Sequence, residues 1–122
     1  MVVGDTAEYT ADTDTVDYNI GLMFGIANDC NVNNLVLNGK TKVSTRSQSV
    51  VNVGSIAGLL NNSNRSEISN VTIIGVISND NTNTASSTGT IAGTAKEATI
   101  SNSNITAYID AVENVGSVVG KG

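Results

Sequence analysis

Apolar and polar positions along this chain follow a short pattern that keeps returning. Gly-x-apolar-x-Gly occurs four times: Gly21-Leu22-Met23-Phe24-Gly25, Gly54-Ser55-Ile56-Ala57-Gly58, Gly89-Thr90-Ile91-Ala92-Gly93 and Gly116-Ser117-Val118-Val119-Gly120. A second block follows the first three. Val32-Asn33-Asn34-Leu35-Val36-Leu37-Asn38-Gly39 aligns with Ile68-Ser69-Asn70-Val71-Thr72-Ile73-Ile74-Gly75, and both align with Ile100-Ser101-Asn102-Ser103-Asn104-Ile105-Thr106-Ala107. The leading glycines lie 33, 35 and 27 residues apart. A period of this size marks a stacked repeat rather than a fold wrapped around one interior.

The apolar runs are short, rich in Val, Ile and Thr, and punctuated by Gly, Asn and Ser. That favours strands and turns over helix. The best helical stretch, Thr94-Ala95-Lys96-Glu97-Ala98, is too short to stand alone. The pattern predicts an all-β parallel β-solenoid, a right-handed β-helix of about three to four rungs. Each unit should hold three short strands, around Ser55-Ile56-Ala57, Ile68 to Ile73 and Val76-Ile77. Strands stacked about 4.8 Å apart would then pair like with like.

Asn34, Asn70 and Asn102 hold the same relative position and are expected to form an amide ladder at an inward turn. Leu37, Ile73 and Ile105 should point inward in register. Gly21, Gly25, Gly54, Gly58, Gly89, Gly93, Gly116 and Gly120 should mark corners, through positive φ or a close backbone approach. The absence of Pro fits a chain that needs every interior N–H for its ladders. The stretches 40–52 and 76–88 read as outward loops on one edge, where solenoids commonly place binding.

The units divide the single domain 1–122 into a partial unit 1–18, units from 19, 52 and 87, and a partial unit 114–122. Met1-Val2-Val3-Gly4 matches the tail of a second block, so the reading begins and stops mid-unit with no evident cap. Self-association through the end rungs, or packing against flanking repeats, is the expected consequence.

Composition narrows the function classes. Net charge is −5, and only 6 Lys and Arg are scattered along the chain, which disfavours nucleic acid. No apolar run approaches the ~20 residues of a membrane span. There is no His, so the commonest general base and metal ligand is missing. The lone Cys30 has no base of that kind beside it and reads as a small turn residue.

Asp12, Asp14 and Asp17 suggest a weak Ca²⁺ loop, but Asp17 stands where the loop Gly belongs and Met23 where its Glu belongs. Asp80, Glu97, Asp110 and Glu113 form no matching column between units. No catalytic residue, cofactor or metal site is therefore assigned. The pairs Thr13/Thr15, Thr82/Thr84 and Thr88/Thr90 are out of register, which argues against a flat ice-binding array. Four sequons start at Asn61, Asn64, Asn70 and Asn104; Asn70 is expected to be internal and closed to glycosylation.

Ile20-Gly21-Leu22-Met23-Phe24-Gly25 followed by Val32-Asn33-Asn34-Leu35 resembles the GLUG repeat. So do Val53 to Gly58 with Ile68-Ser69-Asn70-Val71, and Gly89 to Gly93 with Ile100-Ser101-Asn102. The resemblance covers nearly the whole chain from residue 19. It implies a non-enzymatic, extracellular or cell-surface segment, such as the stalk or adhesive region of bacterial adhesins and immunoglobulin A proteases. A ligand would then be a host protein or a glycan. The alternatives are a structural subunit that assembles head to tail into filaments, and a carbohydrate-binding or carbohydrate-active β-helix.

Overall fold

The computed structural model describes residues 2–11, 18–45, 50–61, 67–96 and 99–122. These form strands β1 (Val2–Ala11), β2 (Tyr18–Ile20), β3 (Phe24–Asn28), β4 (Val32–Thr45), β5 (Val51–Val53), β6 (Ala57–Asn61) and β7 (Glu67–Asn79). They continue with β8 (Ser87–Gly89), β9 (Ala92–Lys96), β10 (Thr99–Ser101), β11 (Asn104–Ala111), β12 (Val115–Gly116) and β13 (Val119–Lys121). No helix occurs among the described residues.

Every pairing is parallel, and the strands sort into three sheets. The long-strand sheet runs β1-β4-β7, with β10 and β11 both on β7. The short-strand sheet runs β12-β8-β5-β2, and the third sheet runs β13-β9-β6-β3. Each pass of the chain thus adds a strand to the short-strand sheet, then to the third sheet, then to the long-strand sheet.

The register is that of the sequence blocks. Val32 pairs with Ile68 and Leu37 with Ile73, while Ile73 pairs with Ile105 and Gly75 with Ala107. The bends join the ladder too. Leu22 N–H donates to Ser55 O, Ser55 N–H to Thr90 O, and Ile91 N–H to Val118 O, each at 2.9 Å. Backbone polar groups at the corners are therefore satisfied by the neighbouring pass.

Three strands per pass were expected, but their bounds differ. The second and third segments merge into one strand, β7, because nothing between Ile73 and Val76 breaks the extended backbone. Ser55 and Ile56 form the bend itself, and the first strand is Val51-Asn52-Val53. Of the stretches 40–52 and 76–88, residues 46–49 lie outside the described residues, and the remainder carries strand at both ends of each stretch. Residues 40–45 complete β4 and residues 76–79 complete β7. The described connection, residues 80–86, is anchored by Asn81 and Ser86, each 1% exposed, while Asp80, Thr82, Thr84 and Ala85 face solvent.

Two apolar layers lie between the sheets. Leu35, Leu37, Val71 and Ile73 of the long strands pack with Ile56, Ala57, Leu60, Ile91 and Ala92 from the third sheet and its bends. The second halves of the same long strands supply Val43 and Ile77, which pack with Ile20, Val51 and Val53 of the short-strand sheet. Gly39 and Gly75 sit where one layer gives way to the other. A Cβ on Gly75 (φ 153°) would fall 1.8 Å from Gly39 O. Only glycine permits that approach.

The corner glycines work by close approach as well, since Gly75 is the one described glycine with positive φ. A Cβ on Gly58 would sit 2.2 Å from Ile20 N and 2.6 Å from Asn52 O. The third sheet therefore folds back directly onto the short-strand backbone. The left-handed conformation belongs instead to Asp29 (φ 51°), to Asn114 (φ 46°) and, at the matching position of the three second blocks, to Asn34 (φ 56°), Asn70 (φ 53°) and Asn102 (φ 50°). These three are exposed, not inward, which corrects the expected placement. Their equivalence arises because Asn is the residue, after Gly, that best tolerates this region.

Candidate functional site

No described residues gather three or more His, Cys, Asp or Glu side chains. Asp80 and Asp110 are exposed on neighbouring strand ends, Asp110 opposite Ser78. Asp12, Asp14, Asp17, Asn64 and Glu97 lie outside the described residues, as do Thr13 and Thr15. Thr88 and Thr90 are 0% exposed, so that pair faces no ice-like surface. Cys30 is half-buried against the first apolar layer, and its thiol donates to Asn28 O at 3.4 Å.

The Asn positions are brought together in pairs. Asn70 donates its amide to Asn34 Oδ1, and Ser69 donates to Asn33. Asn102 occupies the next position of the column, between Ser101 opposite Ser69 and Asn104 opposite Thr72. Asn61 donates to Asn28 Oδ1 at 3.2 Å on a second exposed column. The Asn70 sequon is thus solvent-facing, with its amide nitrogen engaged by Asn34.

A denser polar array lies between the short-strand sheet and the third sheet. Asn19 and Asn52 are the middle residues of β2 and β5 and are paired in register. Alternation turns Ile20, Val51 and Val53 inward and sends these two amides to the other face. Asn52 Nδ2 donates to Asn19 Oδ1 at 3.0 Å. Asn52 Oδ1 accepts from Ser87 Oγ at 2.8 Å and from Thr94 Oγ1 at 3.3 Å. The two hydroxyls are themselves 2.7 Å apart.

Behind this array the 80–86 connection is held by its own asparagines. Asn79 Oδ1 accepts from Asn81 N, Asn81 Oδ1 from Asn83 N, and Asn83 Oδ1 from Ala85 N. These are three successive side-chain turns of the Asx kind. Asn79 Nδ2 also reaches Val51 O at 3.2 Å and Thr88 Oγ1 at 3.0 Å, both buried. Ser86 Oγ accepts from Val51 N at 2.8 Å. From the following pass, Asn114 Nδ2 donates to Thr84 O and Ser86 O, each at 2.8 Å.

In front of the array is an open groove of about 390 Å³. Asn19, Asn52, Thr94, Lys96 and Lys121 line it, with the apolar Val50, Leu59 and Ala85 between them. Sequence reasoning missed this site. A signal was present: the residue two before each leading glycine is polar, namely Asn19, Asn52, Ser87 and Asn114. No protein-family model, no curated protein and no solved structure matches the chain.

Proposed function

We propose that the chain is a right-handed parallel β-solenoid built of GLUG-like repeats, a non-enzymatic stalk or adhesive segment of an extracellular or cell-surface protein. The observation that carries this reading is the like-on-like register across three parallel sheets. Leu37 on Ile73 on Ile105, and Asn34 on Asn70, repeat the same side chain chemistry at each pass. A repeated pass extends a body lengthwise, each unit contacting only its neighbours, and offers an extended surface for binding. The polar surface is mostly Asn, Ser and Thr, with charged residues at 14%. Immunolabelling of intact source cells tests the location. Labelling before permeabilisation is expected, and labelling only afterwards overturns the reading.

A second reading, assembly into head-to-tail filaments, is favoured by the apolar layers themselves. Ile105 and Ile109 are half-buried, whereas their partners Ile73 and Ile77 are 1% exposed. Val118 and Val119 are half-buried next to fully buried Ile91 and Ala92. Another pass laid on this side, from flanking repeats or a second copy, would cover them. Electron microscopy of the purified chain separates filaments from monomers. Val118→Asp should abolish filaments, and filaments that persist in it remove this face from the interface.

A further inference from the structure

The chain visits its three sheets in a fixed order: long-strand, short-strand, third. The described strands make four such passes: β1-β2-β3, β4-β5-β6, β7-β8-β9, and β10 with β11 followed by β12 and β13. One face of the stack is therefore made by β1-β2-β3 and the opposite face by β10 to β13. Both carry incompletely covered apolar residues. On the first, Phe24 is 37% exposed, while its column partners Ala57 and Ala92 are 0% exposed. On the other, Val115 is exposed next to buried Thr88, and Val119 is half-buried next to Ala92.

The side-chain ladders have a direction. Asn52 donates to Asn19, and Ser87 and Thr94 donate to Asn52. Asn61 donates to Asn28, Ser69 to Asn33 and Asn70 to Asn34. In each pair the later pass donates and the earlier pass accepts. Asn19, Asn52 and Ser87 are in one column, and Asn114 joins it one residue before the Val115–Thr88 pair. Asn114 turns its Nδ2 to Thr84 O and Ser86 O of the earlier pass, which leaves its Oδ1. Asn19 Nδ2 enters none of the described bonds. The column thus starts in a donor and ends in an acceptor.

These observations choose among occupants of the last face. An extended peptide adds one strand to one edge. The half-covered residues lie on all three sheets: Ile105 and Ile109, Val115, and Val118 with Val119. Two last passes joined by a two-fold axis would wind in opposite senses, so that at least two unlike sheets would meet. A second copy stacked in the same sense meets each edge with a strand of its own sheet. Continuing the register sets Val3 of the next copy opposite Ile105 and Ala7 opposite Ile109. It sets Ile20 opposite Val115 and Phe24 opposite Val119. It also sets Glu8 opposite Asp110, a like-charge pair that added salt screens.

We propose that the chain binds a second copy of itself through β1-β2-β3 of one copy and β11-β12-β13 of the other, in continuing register, with Asn19 Nδ2 donating to Asn114 Oδ1 across the junction. The proposal rests on the filament reading for association as such, and adds the two faces, their register and their polarity.

The test uses the column Ile26, Leu59, Thr94, Lys121, whose two outer members are exposed. Within one chain Ile26 and Lys121 are three strand spacings apart, about 14 Å, beyond the reach of a disulfide. Across the junction they are neighbours. Ile26→Cys and Lys121→Cys chains, each also carrying Cys30→Ser, are mixed, oxidised and run on a denaturing gel. Mixed dimers are expected. Neither variant alone should cross-link, and neither should pair with Asn38→Cys, which is exposed on the long-strand sheet. Asn19→Asp keeps the oxygen that Asn52 donates to and removes the donor. It should weaken association by about tenfold in sedimentation, whereas added salt should strengthen association of the parent chain. Dimers from either variant alone, or unchanged association of Asn19→Asp, would overturn the proposal. Filaments without mixed dimers would overturn this register and leave the filament reading standing. Monomers without cross-links would remove both.

Discussion

Asn70 illustrates how one residue type meets a backbone demand. Its φ of 53° lies in the left-handed region, which costs an ordinary L-residue roughly 1–2 kcal/mol. The side chain is exposed, so the amide link to Asn34 contributes little beside that conformational preference. Asn70→Ala should therefore destabilise by about 1–2 kcal/mol, while Asn70→Gly should cost less. Denaturant unfolding of both variants checks this, and a larger loss for Gly than for Ala would show that the amide ladder dominates. Gly75 is stricter. With a Cβ placed 1.8 Å from Gly39 O, Gly75→Ala must separate β4 from β7. A loss of about 3 kcal/mol or more is expected, measured the same way. Ala107 takes the same register position in β11 with an ordinary φ, so the demand belongs to the Gly39–Gly75 approach and not to the repeat position as such.

At the scale of elements, the connection 80–86 is pinned to the interior at Asn81 and Ser86, while Asp80, Thr82, Thr84 and Ala85 stay exposed. Its sequence, Asp80-Asn81-Thr82-Asn83-Thr84-Ala85-Ser86, reads as a solvated loop. Three successive Asx turns and the Asn114 amide turn its polar atoms onto its own backbone and onto Val51. Such a segment buries hydroxyls and amides without leaving them unpaired. Asn79→Ala removes two buried donor contacts and one acceptor contact, and should cost about 1–3 kcal/mol. Asn114→Gly frees Thr84 O and Ser86 O while keeping the left-handed φ of 46° without strain. Limited proteolysis should then cut within residues 82–85 faster than in the parent chain. Unchanged cleavage there would mean that the Asx turns hold the connection without Asn114.

For the whole molecule, neighbouring passes meet through three parallel sheets, so each pass is stabilised by the ones it pairs with. The pass from Val51 to Asn79 is covered on both sides, and Val51, Val53, Ile56, Leu60, Ile68 and Val71 are all 0% exposed. The pass from Asn104 to Lys121 keeps Ile105, Ile109 and Val118 half-buried. Hydrogen exchange on the purified chain should therefore rank the amides of β5, β6 and β7 slowest and those of β11, β12 and β13 faster. Uniform protection across both groups would show that the faster group is covered by a partner, which is the outcome filament assembly requires.

The recurrence of two blocks was enough, from sequence alone, to place like residues opposite like. Spacing decides register when every strand is parallel and each pass repeats the last. The all-β class followed from the same short, β-branched, Gly-punctuated runs. Spacing did not reveal which way the side chains face at a bend, because that depends on φ at single residues. Hence Asn34, Asn70 and Asn102 aligned correctly yet turned out exposed, and the corner glycines answered to backbone proximity across sheets. The strand Val51-Asn52-Val53 was hidden for a similar reason: three residues carry too little alternation to stand out until a neighbouring pass pairs with them. The groove depended on tertiary structure most of all. Asn19, Asn52, Thr94, Lys96 and Lys121 are far apart along the chain, and they meet only because the glycine corners let the third sheet fold back onto the short-strand sheet.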